Sequence, residues 1–70
     1  MRGQHLKTRI AGPLRLVLEK RGGIYWLRVS HAAITLRLGV RSLGRDELSA
    51  NHSFEVIGDR IEAWEKLAHG

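Results

Sequence analysis

Alternation of apolar and polar side chains from Gly23 to Arg41 constrains this chain more than any other feature. The segment reads GIYWLRVSHAAITLRLGVR, and its β-branched and aromatic residues favour extended backbone. A tight turn at His31 and Ala32 would fold it into one antiparallel hairpin with an apolar face. On that face the predicted cross-strand pairs are Val29 with Ile34, Leu27 with Leu36, and Tyr25 with Leu38.

The other face of this hairpin is predicted to be basic. There Arg28 would face Thr35, and Trp26 would face Arg37, with a cation–π contact between the last two. A slip of one residue would turn both arginines into the core at a high desolvation cost. The alternation therefore fixes the faces more firmly than it fixes the turn.

A further strand is predicted before the hairpin, at Leu14–Lys20, where leucines alternate with polar residues or valine. Gly22 and Gly23 supply the positive-φ residues that a tight turn needs, and a turn at Arg21-Gly22 gives the same facing. Three strands then share one apolar face. The opposite face is predicted to hold Arg15, Val17, Ile24, Trp26, Arg28, Thr35, Arg37 and Arg41.

The C-terminal segment is predicted to be the helix that covers the apolar face. Its apolar residues recur at intervals of three and four, which places them on one helical stripe. They are Phe54, Ile57, Ile61, Trp64 and Leu67 or Ala68. Trp64 is assigned to the core, and Asn51 or Ser53 to the helix N-cap.

Residues 42–52 connect the last strand to this helix. Leu43 and Leu48 are expected to pack against the core, and the main helix could also begin within this connection. The prediction is an α+β fold in which a three-stranded antiparallel β-meander packs against one C-terminal α-helix. Residues 13–70 would form this single domain, and residues 1–12 a flexible basic arm that includes Lys7 and Arg9.

Composition excludes several functional classes. The chain lacks cysteine and has no apolar run long enough to span a membrane or to form a signal peptide, so we expect a cytoplasmic protein. Its four histidines are scattered, and neither a metal-binding motif nor a nucleophile–base pair is recognisable. We therefore predict neither an enzyme nor a bound metal or cofactor.

The balance of charge points to a polyanionic partner. Twelve lysine and arginine residues against seven aspartate and glutamate residues give a net charge of +5 and a pI near 10.8. Such values are typical of nucleic-acid-binding domains. Most of the basic residues precede Asp46, whereas most of the acidic residues lie at or after it.

Two short segments resemble a known family. Residues 24–29 (IYWLRV) and 34–39 (ITLRLG) are similar to the second and third strands of the N-terminal arm-type DNA-binding domain of tyrosine recombinases from phages and integrative elements. The plant ethylene-response-factor domain looks similar in the same way. The resemblance implies a sheet lying in the major groove, with Arg15, Trp26, Arg28, Thr35, Arg37 and Arg41 facing DNA. The late apolar stripe of the helix and the lack of a recombinase catalytic domain depart from that family.

Two hypotheses follow from these features. In the first, the chain is the DNA-binding module of a phage or mobile-element protein and reads duplex DNA with its outer sheet face, while Lys7 and Arg9 contact phosphates. In the second, it is a small phage-type or bacterial regulator that inhibits a host protein through its sheet face or helix. Stacking of single-stranded nucleic acid on Trp26 and a symmetric dimer through the sheet face stay open.

Overall fold

The protein folds as a four-stranded antiparallel sheet followed by one helix. A computed structural model describes residues 3–34 and 36–69. The elements are β1 Gln4–Ala11, β2 Leu14–Arg21, β3 Ile24–His31, β4 Arg37–Gly44 and α1 Glu47–His69. The strands follow each other in the sheet in the order β1-β2-β3-β4, so the fold is an α+β meander with a C-terminal helix.

Strand β1 occupies the segment that we expected to be a flexible arm. It pairs with β2 along its length, and its last residue, Ala11, is completely buried. A register shift between His5 and Lys7 leaves Leu6 as a bulge, and this extra residue interrupts the alternation of the segment. The prediction of a three-stranded sheet was therefore wrong by one strand.

Glycines make the first two hairpins possible. Gly12 has a φ of 58° in the turn between β1 and β2, and Gly22 and Gly23 have φ values of 60° and 77° between β2 and β3. Residues with a Cβ rarely adopt these angles, whereas glycine does so without strain. Arg21 pairs with Ile24, which confirms a two-residue turn at Gly22 and Gly23.

Strand β4 pairs with β3 in a register that differs from the prediction. Val29 lies opposite Gly39 rather than Ile34, a displacement of five residues. The chain between the strands forms a loop instead of a tight turn, held by a 2.8 Å hydrogen bond from the Ala32 N–H to the Pro13 carbonyl oxygen. An odd displacement exchanges the two faces of a strand, so the apolar row beginning at Ile34 does not join the core. A register shift between Val29 and Ser30 leaves Leu38 as an extra residue, and Arg37, opposite Ser30, therefore keeps its predicted face away from the core.

Helix α1 begins at Glu47, seven residues before the predicted apolar stripe, so the main helix does start within the connection. The Oδ2 atom of Asp46 accepts a 2.8 Å hydrogen bond from the Ser49 N–H, which makes Asp46 the N-cap. This bond lowers the pKa of the Asp46 carboxyl group. The predicted caps, Asn51 and Ser53, lie inside the helix.

The core lies between α1 and the sheet. Its buried members come from β1, β2, β3 and the first half of the helix, and Val29, Leu43, Ile57 and Ile61 pack around them half-buried. Burial of the leucines of β2 and the alternate residues of β3 confirms the predicted apolar face. The buried set is Ala11, Leu16, Leu18, Tyr25, Leu27, Ala50 and Phe54.

The ends of the helix lie outside this core. Trp64 is 78% exposed and Leu48 is 81% exposed, so both core assignments were wrong. The C-terminal turns of the helix lie beside the turn between β1 and β2, where Trp64 and Leu67 border an open depression together with Pro13 and Leu14. Within the described residues, no helix is long and apolar enough to cross a membrane.

Candidate nucleic-acid interface

The sheet has one face covered by α1 and one face that no other described element covers, which we call the open face. Strand pairing arranges its side chains in three rows that each cross all four strands. The rows are His5, Glu19, Trp26 and Ser42; then Thr8, Val17, Arg28 and Val40; then Ile10, Arg15, Ser30 and Arg37.

Three arginines from three neighbouring strands meet around Ser30 on the open face. Arg15 of β2 and Arg37 of β4 both lie opposite Ser30 of β3, and Arg28 is two residues before Ser30 on the same strand. We call these three residues the arginine cluster. With the loop from His31 to Ile34 they border a shallow depression of about 360 Å³. The strand register thus brings three arginine residues to one region of the open face.

One carboxylate lies next to this cluster. An oxygen of Glu19 is 2.6 Å from Nη2 of Arg28, and the Glu19 side chain is only 14% exposed. Among the described residues, neither Arg15 nor Arg37 is within ion-pair distance of a carboxylate. Two of the three positive charges therefore remain uncompensated by the protein, while Glu19 orients the third.

Trp26 is half-buried at the middle of the open face. The guanidinium group of Arg21 lies 5.3 Å from the centre of its ring, so the predicted cation–π contact with Arg37 is replaced by one with Arg21. The register of β4 explains the change, because it places Arg37 opposite Ser30 and Ser42 opposite Trp26. The indole N–H of Trp26 is buried without a hydrogen-bond partner among the described residues.

Lys7 and Arg9 do not belong to this surface. They point toward α1, where Nζ of Lys7 is 3.0 Å from Glu55 and the Arg9 guanidinium contacts three carboxylates. The distances from Arg9 are 3.1 Å to Glu55, 2.8 Å to Asp59 and 3.1 Å to Glu62. Hydrogen bonds to Asp59 and Glu62 raise the pKa of Arg9 above its ordinary value. The predicted phosphate contacts of both residues are replaced by ion pairs with the helix.

Of the remaining predicted site residues, Arg41 lies on the helix side of the sheet, opposite Leu27. It lies there because β4 pairs with β3 in a register that differs from the predicted one. Another predicted site residue, Thr35, lies outside the described residues. The structure thus brings Arg15, Trp26, Arg28 and Arg37 together on one face. Glu19, which alternates with the leucines of β2, lies on that face as well. Sequence reasoning missed its ion pair with Arg28, which the neighbouring positions on β2 and β3 would have suggested.

Within residues 3–34 and 36–69, no group of three or more histidine, aspartate or glutamate side chains is arranged to hold a metal ion. Comparison with models of known protein families, with curated proteins and with solved structures found no match. The chemistry of the open face therefore carries the functional proposal.

Proposed function

We propose that the protein is a DNA-binding module that contacts duplex DNA with its open face. The arginine cluster carries this proposal, because three arginine residues border one depression around Ser30 and a single carboxylate, Glu19, is paired with one of them. Clustered positive charges repel each other unless an anion lies between them. A phosphate backbone supplies such anions at regular spacing.

The distribution of charge over the whole fold supports the same function. The four strands contain one acidic residue, Glu19, whereas α1 contains two basic residues, Arg60 and Lys66. The sheet is therefore basic and the helix acidic. Lys7 and Arg9 pair with helix carboxylates, so the positive charge that the cluster offers to a polyanion on the open face comes from Arg15, Arg28 and Arg37. The basic strand residues are Lys7, Arg9, Arg15, Lys20, Arg21, Arg28, Arg37 and Arg41; the acidic helix residues are Glu47, Glu55, Asp59, Glu62 and Glu65.

The geometry of the sheet suggests how the contacts are divided. Strands lie about 4.8 Å apart, so β2 and β3 together fit into a major groove about 12 Å wide. Arg15 and Arg28, on these central strands, are our candidates for hydrogen bonds to guanine edges. Arg37, on the outer strand β4, is our candidate for a phosphate contact. The assignment to a phage or mobile-element protein stays a prediction that rests on the sequence resemblance.

Duplex DNA suits the open face better than a single strand. Single-stranded nucleic acid is held by stacking successive bases on aromatic side chains. Trp26 is the one aromatic residue in the three rows of the open face, and it is half-buried beneath Arg21. A single partly covered ring is a small stacking platform, whereas three arginines match the groove and the backbone.

A second candidate function has an observation of its own. Trp64 and Leu67 are 78% and 80% exposed near the C-terminal end of α1. Exposed large apolar residues, tryptophan above all, are frequent anchors in protein–protein interfaces. Binding to a host protein through this end of the helix is the alternative proposal.

Binding measurements on matched variants test the proposal. Fluorescence anisotropy with a labelled mixed-sequence duplex would compare R37A with R41A, which remove the same charge from opposite faces of one strand. We expect R37A to weaken binding and R41A to leave it within about twofold. R15A, which removes a base contact, should weaken binding to a preferred sequence by about 5- to 150-fold, since such contacts are worth about 1–3 kcal/mol.

Equal losses for R37A and R41A would overturn the assignment to the open face. Tighter binding of a single strand than of its duplex would replace the duplex proposal. The alternative would be favoured if neither the wild type nor the variants bound the duplex, and if the wild type bound a protein partner that W64A no longer bound.

A further inference from the structure

Strand β4 forms an edge of the sheet and carries exposed apolar residues. Four apolar side chains of the loop and strand are each about half exposed. The burial that the sequence pattern predicted for Ile34, Leu36 and Leu38 is not found within one chain. The fractions are 56% for Ile34, 50% for Leu36, 51% for Leu38 and 54% for Val40. The outer backbone groups of an edge strand are also unpaired by the sheet.

The other edge of the sheet is protected. On β1, Lys7 and Arg9 point inward to the helix and are fixed there by carboxylates. Inward-pointing charges of this kind prevent a further strand from adding to an edge. On β4 the charge on the helix side is Arg41, which is exposed and, among the described residues, is not within ion-pair distance of a carboxylate. Register shifts lie on either side of residues 39–42, so this segment is regularly paired with β3. The two edges therefore differ in their capacity to bind another strand.

The strand is also complementary to itself. On β4, Val40 lies on the open face, while Gly39 and Arg41 lie on the helix side. Two antiparallel copies must place residues of the same face opposite each other. Pairing Val40 with the partner's Val40 meets this condition and sets Gly39 against the partner's Arg41. If the register were shifted so that Val40 faced the partner's Ser42, the two Arg41 side chains would lie opposite each other.

Gly39 provides the space that this register requires. A Cβ atom built at Gly39 would have no heavy atom within 4 Å, apart from its chain neighbours. The side chain of the partner's Arg41 can therefore extend over Gly39 without displacing another group. The pairing thus keeps like charges apart and fills an open position.

From these observations we infer that β4 is a homodimerisation edge. A second copy of the chain adds antiparallel to β4, with Val40 at the twofold axis, and the two sheets form one continuous eight-stranded sheet. This inference goes beyond the proposed function, since dimerisation is measured without DNA. If both hold, the two open faces lie on one side of the dimer and match a DNA site with twofold symmetry.

Sedimentation equilibrium of the full chain tests the inference, with the wild type compared with V40K and I10K. Ile10 is a matched control, because it is 52% exposed on the same face but on the opposite edge strand. We expect the wild type and I10K to approach twice the mass of 7.9 kDa, and V40K to stay monomeric because two lysines would meet at the axis. Circular dichroism would verify that each variant is folded.

Cysteine cross-linking tests the register. The chain contains no cysteine, so V40C and I10C each introduce one thiol. Opposed strand residues have Cβ atoms about 4.5–5.5 Å apart, close enough for a disulfide after a small adjustment. We expect oxidation to give a covalent dimer of V40C within minutes and little of I10C.

A dimer with a Kd of about 1 mM is substantially populated when the protein concentration reaches about 1 mM. A wild type that is still monomeric at that concentration would overturn the inference. A dimer that V40K leaves intact, or that cross-links equally through I10C, would place the interface elsewhere and would also overturn it. Failure of DNA binding in a protein that dimerises through Val40 would affect only the proposed function.

Discussion

Gly58 and Arg9 share one site between the helix and the first strand. Gly58 is buried in the middle of α1, and a Cβ atom added to it would lie 2.7 Å from Cζ and Nη1 of Arg9. Glycine costs a helix about 1 kcal/mol relative to alanine. The cost is offset here, because the missing side chain makes room for a guanidinium group that binds Glu55, Asp59 and Glu62.

We expect the effect of G58A to change sign with the residue at position 9. With Arg9 present, the new methyl group displaces the guanidinium from its carboxylates, so the free energy of unfolding falls. In the R9A background the site is empty, and G58A should stabilise by about 1 kcal/mol through helix propensity. Urea denaturation of the four proteins measures this double-mutant cycle. The same sign in both backgrounds would show that the two residues do not share the site.

At the scale of elements, the contribution of the helix side chains to the core decreases toward the C-terminal end. Ala50 and Phe54 are fully buried and Ile61 is half-buried, whereas Trp64 and Leu67 are mostly exposed. The apolar stripe nevertheless continues at the same spacing from Phe54 to Trp64. The exposed apolar side chains of the last turns therefore contribute little to the stability of one chain.

Substitutions at the two aromatic residues of the helix should show this difference. We expect F54L to destabilise the protein by up to about 1.5 kcal/mol and F54A by about 3–5 kcal/mol, enough to unfold much of a domain this small. W64A should change the free energy of unfolding by no more than about 0.5 kcal/mol. Thermal and urea unfolding measure both effects. A loss of several kcal/mol for W64A would mean that Trp64 is buried in solution, as the sequence pattern predicts.

The elements also show which parts of the fold a sequence can predict. Alternation placed Leu16, Leu18 and Leu27 in the core, because a strand with one buried face leaves a clear pattern. It missed β1, where a bulge at Leu6 and inward-pointing cations break that pattern. Those cations are stable there only because helix carboxylates some fifty positions away compensate them. Pairing at this distance is not visible in a local window.

The register of β4 marks a second limit. Several turns between β3 and β4 are compatible with the same alternation, and the choice among them depends on loop hydrogen bonds such as that between Ala32 and Pro13. The same uncertainty affected the predicted positions of the site residues on β4. Arg15, Trp26 and Arg28, on strands with a well-defined turn, were placed on the open face correctly, whereas Arg41 was not.

For the whole molecule, the segregation of charge predicts how DNA binding depends on salt. If each member of the arginine cluster displaced one counterion, the slope of log K against log salt concentration would be about −2.7, and base contacts would make it shallower. With Arg37 as the phosphate contact of the cluster the slope would be about −0.9, so we expect a value between about −0.9 and −2.7 for the wild type. R37A should reduce its magnitude by about 1. R41A should keep the wild-type slope.

Anisotropy titrations at several NaCl concentrations give these slopes. A slope near zero for the wild type would contradict binding through the arginine cluster. An equal change for R41A would contradict the division between the two faces of the sheet.

The ion pairs between β1 and α1 also affect the order in which the chain can fold. Lys7 contacts Glu55, and Arg9 contacts Asp59, across 48 and 50 positions of sequence. During translation at about 5–20 residues per second, β1 would precede these carboxylates by roughly 2–10 s. Over that interval its lysine and arginine have no acidic counterpart from the helix. β1 can therefore pair with β2 well before it acquires its ion pairs with the helix.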